Sequence, residues 1–216
     1  MRFTDIPVRV LASSAVIDTG LGAMIPSPCS PRRATGERQE AMISPEDNIV
    51  LVGFSGTGKT VVGGLLAGRL RRRFVDMDRV ITERMGATLP GIFARFGERR
   101  YRDEERILSE ELAARKGLVI AAGGGTIIDD KNRRLLAESG VMVALRARPE
   151  TIAERLTGEE TRPLLKADDP LERIRELKAA RKHVYDDVPI QIVTDDLLPA
   201  EIVDRIIDAI GVSGEE

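Results

Sequence analysis

The chain is 216 residues long and nearly balanced in charge, with 33 basic and 35 acidic residues and a formal net charge of -2. That balance leaves no basic footprint for nucleic acid, and no apolar run approaches the roughly 20 residues needed to cross a bilayer. One cysteine, Cys29, and one histidine, His183, exclude an internal disulfide and a structural zinc site, and suit a reducing, cytoplasmic setting. With 42% hydrophobic and 31% charged residues, the composition is that of a globular chain able to bury a full core.

Residues 1–44 hold no sustained helical or strand period, and Pro26, Pro28 and Pro31 cluster with Ser27, Cys29 and Ser30. This stretch is expected to be a disordered extension, with Met42 an alternative start. A secretory signal does not fit, because Asp5, Asp18 and several glycines break the apolar stretches. Glu37 and Glu40 add to these acids, and a transit peptide should be poor in them. From Asn48 the pattern changes. Buried strands are expected at 49–52, 74–76, 118–122, 141–145 and 190–193. Helices are expected at 59–70, 79–84, 89–96, 98–115 and 131–138, from Pro149 onward, and at 171–185 and 200–210. Strands alternating with helices predict an α/β fold, a five-stranded parallel sheet flanked by helices on both faces. The domain is expected to span 45–211, leaving 212–216 as a tail.

The first predicted strand runs into Gly53-Phe54-Ser55-Gly56-Thr57-Gly58-Lys59-Thr60, which has the spacing G-x-x-x-x-G-K-[ST]. The glycines let backbone N–H groups turn inward around a phosphate, Lys59 reaches the β- and γ-oxygens, and the Thr60 hydroxyl ligates Mg2+. The helix that follows aims its positive N-terminal end at the same anion. From average residue usage, a chance match arises about once in a hundred chains of this length. Here the loop also lies between a strand and a helix, so ATP binding is predicted through Ser55, Gly56, Thr57, Gly58, Lys59 and Thr60. Lys59 is expected to stand exposed in the loop. A GTPase would need a guanine-reading Asn-Lys-x-Asp segment, which is missing. Val61 occupies the third glycine position of a dinucleotide fingerprint.

Five later segments carry candidate site residues. Asp76 and Asp78 stand two apart at the end of the second strand, as a polar exit or as a metal and acceptor pair. Phe93-Ala94-Arg95-Phe96-Gly97-Glu98 leads into Tyr101-Arg102-Asp103-Glu104-Glu105, which fits a salt-bridged helix or an arginine site. Gly123-Gly124-Gly125 closes the third strand, where an α/β sheet lines its ligand crevice. Arg162-Pro163-Leu164-Leu165 sits in a charged stretch, and Arg181 precedes His183 and Tyr185 on a late helix. His183 is read as a solvated helix-face residue rather than a base.

In this order, from about Asn48 to Ile210, these segments resemble the shikimate kinase family, which has a P-loop fold like that of the nucleoside monophosphate kinases. The resemblance implies a transferase that phosphorylates shikimate with Mg2+ and ATP, working as a monomer in chorismate and aromatic amino acid biosynthesis. It assigns Mg2+ to Thr60 and Asp76, and the acceptor hydroxyl to Asp78. Shikimate is assigned to Arg102, Gly123, Gly124, Gly125 and Arg181. Phe93 and Tyr101 wall the ring, Tyr101 standing where the family usually has Phe, and Glu105 accepts from a ring hydroxyl or fixes Arg102. Arg162 is placed over the γ-phosphate on a lid at about 157–169, and adenine is placed between Arg155 and Pro199. A gluconate or nucleoside monophosphate kinase would not explain the glycine triplet followed by Arg-Pro-Leu-Leu. A silent ATP-binding module would be expected to have lost Lys59, Asp78 or Arg162.

Overall fold

Apolar runs with no polar face can be buried only where both sides of a sheet are covered, and that requirement sets the architecture. The computed structural model describes residues 43–158 and 169–211. The sheet is formed by β1 (Asn48–Val52), β2 (Arg73–Asp76), β3 (Leu118–Ala121), β4 (Gly140–Arg146) and β5 (Ile190–Val193), in the order β2-β3-β1-β4-β5. All its pairings are parallel, with Val50 of β1 opposite Ile120 of β3 and Met142 of β4. The helices are α1 (Lys59–Arg69), α2 (Met77–Met85), α3 (Leu89–Ala113), α4 (Asp130–Glu138), α5 (Pro149–Arg155), α6 (Pro170–Asp186) and α7 (Pro199–Ile210).

Successive strand residues point to opposite faces and so feed two separate cores. Ile49, Leu51, Val143 and Leu145 pack with Leu66 of α1 and Ile206 of α7 on one face. Val50, Val52, Ile120 and Ala144 pack with Ile81 of α2, Leu108 of α3 and Leu136 of α4 on the other. Full burial of each large apolar side chain contributes roughly 1.5–3 kcal/mol, which outweighs local propensity. Gly63 illustrates this. Glycine inside a helix costs about 1 kcal/mol, yet a Cβ here would lie 2.4 Å from the Phe74 ring, so its absence lets α1 close onto β2. The start of β1 is held by Asn48, whose buried amide donates to Arg115 O at 2.8 Å and accepts from Leu118 N at 2.9 Å.

Two local details differ from the sequence expectation. Helix α2 starts at Met77 because the Asp76 carboxylate caps it, accepting from Arg79 N at 3.0 Å. Asp78 therefore sits in the first turn of a helix rather than at a strand exit. The domain also begins earlier than residue 45: Ile43 packs beside the α1–α7 core and donates its N–H to Ile210 O at 3.4 Å. Gly97 does separate two helical pieces, since α3 breaks there with φ 77°. No helix among the described residues is long and apolar enough to cross a membrane. Residues 1–42, residues 159–168 with Arg162, where the lid is expected, and residues 212–216 lie outside the described residues.

Candidate active site

The phosphate half grows from the carboxyl end of β1. Gly53 leaves the strand at φ 145°, where a Cβ would lie 2.4 Å from Leu145 O. Thr57 Oγ1 donates to Phe54 O at 2.8 Å and closes the loop. Gly58, in the left-handed region at φ 94°, is the N-cap of α1 and brings no capping side chain, so the first-turn N–H groups are left to an anion. Lys59 is not exposed as expected. It is 9% exposed, and its Nζ donates to Gly53 O at 2.8 Å and Phe54 O at 2.9 Å. The strand-to-helix turn is tight enough to fold the ammonium back over its own carbonyls.

Thr60 Oγ1 donates to Asp76 Oδ2 at 2.6 Å, while Asp76 Oδ1 is committed to the α2 N-terminus. This pair fits Mg2+, a hard cation usually held by one or two protein oxygens together with waters and phosphate oxygens. Among the described residues, no three His, Cys, Asp or Glu side chains form a metal cluster, so the nucleotide would have to supply the remaining oxygens. Lys59, Thr60, Asp76, Asp78, Gly124 and Arg155 all line one cleft of about 240 Å³.

Side chains build the acceptor half. Asp78 Oδ1 accepts from Tyr101 OH at 2.6 Å. Arg102 pairs with Glu105 at 2.5 Å and with Glu98 at 2.8 Å. Glu105 is 1% exposed and accepts from Thr126 Oγ1 at 2.6 Å. Burial raises the Glu105 carboxyl above its ordinary value, against the pull of Arg102 and Thr126. Burial alone would lower the Arg102 guanidinium, but Glu105 and Glu98 raise it on balance. Glu105 thus fixes Arg102, one of the two roles expected of it. Phe93 and Tyr101 lie together, ring centroids 5.3 Å apart.

The glycine triplet joins the halves. A Cβ on Gly123 would lie 2.7 Å from both Asp78 Oδ1 and Glu105 Oε1. On Gly124 it would lie 2.6 Å from Ser55 Oγ of the phosphate loop, and on Gly125 2.9 Å from Arg102 Nη1. Any side chain here would fill the space between the loop and the charged groups. Arg181 reaches the same segment from α6, donating to Gly124 O at 3.1 Å with its guanidinium 5.6 Å from the Phe54 ring centroid. Burial lowers the Arg181 guanidinium; Tyr185 opposes this and the Arg102 charge adds to it. Arg102 and Arg181 thus both approach the glycine triplet, and positive charge there favours an anionic ligand.

Arg155 is anchored at the loop edge, donating to Thr194 O at 2.6 Å and Thr194 Oγ1 at 3.1 Å. Pro199 stands exposed in the first turn of α7. His183 is exposed on α6, as expected. Sequence reasoning missed Thr126, Thr194 and the Tyr185 hydroxyl, which donates to Gly124 O at 2.9 Å. Burial pushes the Tyr185 phenol up to about 12, so it stays a donor. Its spacing from Arg181, four residues along one helix, was the available signal.

Comparison with known proteins follows the same outline. The family model described as shikimate kinase matches residues 55–211. A shikimate kinase of Pelotomaculum thermopropionicum is 46% identical over 160 residues, covering 74% of this chain and 93% of the relative. One from Thermodesulfovibrio yellowstonii is 44% identical, covering 74% and 92%. Among solved structures, the shikimate kinase of Acinetobacter baumannii in complex with shikimate superposes with a TM-score of 0.74 at 37% identity, covering 76% of this chain and 93% of that one.

Proposed function

The chain belongs to the shikimate kinase family, and we propose that it transfers the γ-phosphoryl group of ATP to the 3-hydroxyl of shikimate, giving shikimate 3-phosphate and ADP. One observation carries this reading: the triplet Gly123–Gly125 lies against Ser55 of the phosphate loop, against Asp78 and Glu105, and against Arg102. A phosphoryl donor and a hydroxylated, carboxylate-bearing acceptor can then share one strand end.

In the transfer, the acceptor oxygen forms a bond to the γ-phosphorus as the bond to the β-phosphate oxygen breaks. That electron pair leaves with ADP. An aspartate is a weak base for an alcohol, and in a loose transition state the proton departs late. Asp78 therefore acts mainly by orienting the hydroxyl for in-line attack and takes its proton as the bond completes. Arg102 and Arg181 hold the shikimate carboxylate, and Arg102 offers a planar fork that lysine cannot copy. Lys59 moves from its loop carbonyls to the β- and γ-oxygens. Thr60 and Asp76 are the residues that would hold Mg2+, which would supply charge neutralisation at the β- and γ-phosphates. Arg155 and Pro199 flank adenine. Arg162, on the lid segment, spreads the γ-phosphate charge and helps exclude water that would hydrolyse ATP. We place the protein in the cytoplasm.

The test is a coupled ADP-release assay with shikimate, quinate, gluconate and AMP as acceptors. Turnover with shikimate well above the other three is expected. Preference for gluconate or AMP would overturn the reading.

A further inference from the structure

We propose that Tyr101 is a positioning residue for phosphoryl transfer: its phenol holds Asp78 Oδ1, the oxygen beside Gly123, and so sets the plane in which the carboxylate meets the acceptor hydroxyl. The inference rests on the role given to Asp78 above and adds to it a residue that the family resemblance treats only as a ring wall.

The geometry is specific. Tyr101 is 4% exposed, and Phe93 packs on its ring at 5.3 Å between centroids. The Arg102 guanidinium lies 5.5 Å from the Tyr101 ring centroid. A ring held in this way has little freedom, so its hydroxyl is a fixed point. The contact to Asp78 Oδ1 is 2.6 Å, the length of a charge-assisted O–H···O⁻ bond. Its direction follows from chemistry. A carboxylate only accepts, and burial, with the Asp78 and Glu105 charges, raises the phenol above its ordinary value, so Tyr101 keeps its proton and donates.

A carboxylate turns through a broad, nearly two-fold torsion. A strong donor on an immobile ring restricts that rotation. Tyr101 and Arg102 are consecutive on α3, one reaching Asp78 and the other Glu105. That helix therefore sets the position of both the hydroxyl-orienting acid and the carboxylate-binding arginine. A phenylalanine would fill the same volume and leave the Asp78 plane to other contacts. Because orientation matters during transfer more than in binding, the loss should fall on kcat.

The experiment compares the full chain with Y101F, D78N and Y101F/D78N, scoring kcat, KM for shikimate and thermal melts, with rates taken per folded protein. Y101F is expected to lower kcat about tenfold, leave KM for shikimate within about twofold, and cost nothing further in the D78N background. An undiminished kcat, a loss confined to KM, or an equal loss in the D78N background would overturn the proposal. A second readout covers the case in which D78N is too slow to assay. The chain has no tryptophan and two tyrosines, so near-UV absorption reports these phenols. D78N should shift that absorption to shorter wavelength relative to wild type, with no shift between Y101F and the double variant; no shift in D78N overturns the proposal. The two failures separate: a wild type inactive with shikimate overturns the functional reading as well, whereas an active wild type with an undiminished Y101F overturns only the role of Tyr101.

Discussion

The phosphate loop is made of backbone, and the acceptor pocket facing it is made of side chains. Gly53 to Thr60 is one continuous stretch whose shape comes from glycine conformations and from Lys59 bonded to the loop's own carbonyls. The pocket draws Asp78 from α2, Arg102 and Glu105 from α3, Thr126 from the turn after β3, and Arg181 from α6. A continuous loop that grips a common cofactor should fail as a unit. A pocket assembled from distant elements should lose its functions one at a time.

The largest effect should come from the loop. K59A is expected to lower turnover by at least about hundredfold, because it removes a charge aimed at the transferring group, while circular dichroism stays unchanged. Since Lys59 is buried against Gly53 and Phe54 carbonyls, a melting curve should accompany the assay. Near-normal activity in a folded K59A would break the contrast between the halves.

D78N comes next, with kcat falling far more than KM for shikimate rises. A change seen only in KM would make Asp78 a binding group. Smaller and more selective, R102K and R181K should each weaken shikimate binding by about 1–3 kcal/mol and leave ATP binding nearly untouched. Isothermal titration that finds ATP weakened instead would move these arginines onto the phosphates.

The smallest effect is expected from deleting residues 1–41. The whole sheet and every described site residue lie from Ile43 onward, so kcat, both KM values and the melting temperature should match the full chain. A fall of several degrees would show that the extension contributes to the folded domain.

The same contrast explains what could be read from the sequence. The loop was legible because its residues are neighbours in the chain and each has a fixed chemical task. The strands were legible because their apolar runs have no polar face. Asp78 was named, but its place in a helix was not, since the Asp76 cap that starts α2 depends on where its carboxylate turns. Lys59 was expected in solvent because a loop lysine usually is; the carbonyls that bury it appear only once the turn closes. Thr126, Thr194 and Tyr185 were missed because their partners, Glu105, Arg155 and Gly124, lie 21, 39 and 61 residues away in the chain. No local pattern announces such pairs.

The central claim is that two guanidiniums beside the phosphate loop read the carboxylate of the acceptor. The most direct measurement is kcat/KM for shikimate and for its methyl ester in the same ADP-release assay. Esterification removes the negative charge that Arg102 and Arg181 are placed to meet, so the account predicts a loss of about hundredfold. Equal rates for acid and ester would contradict it.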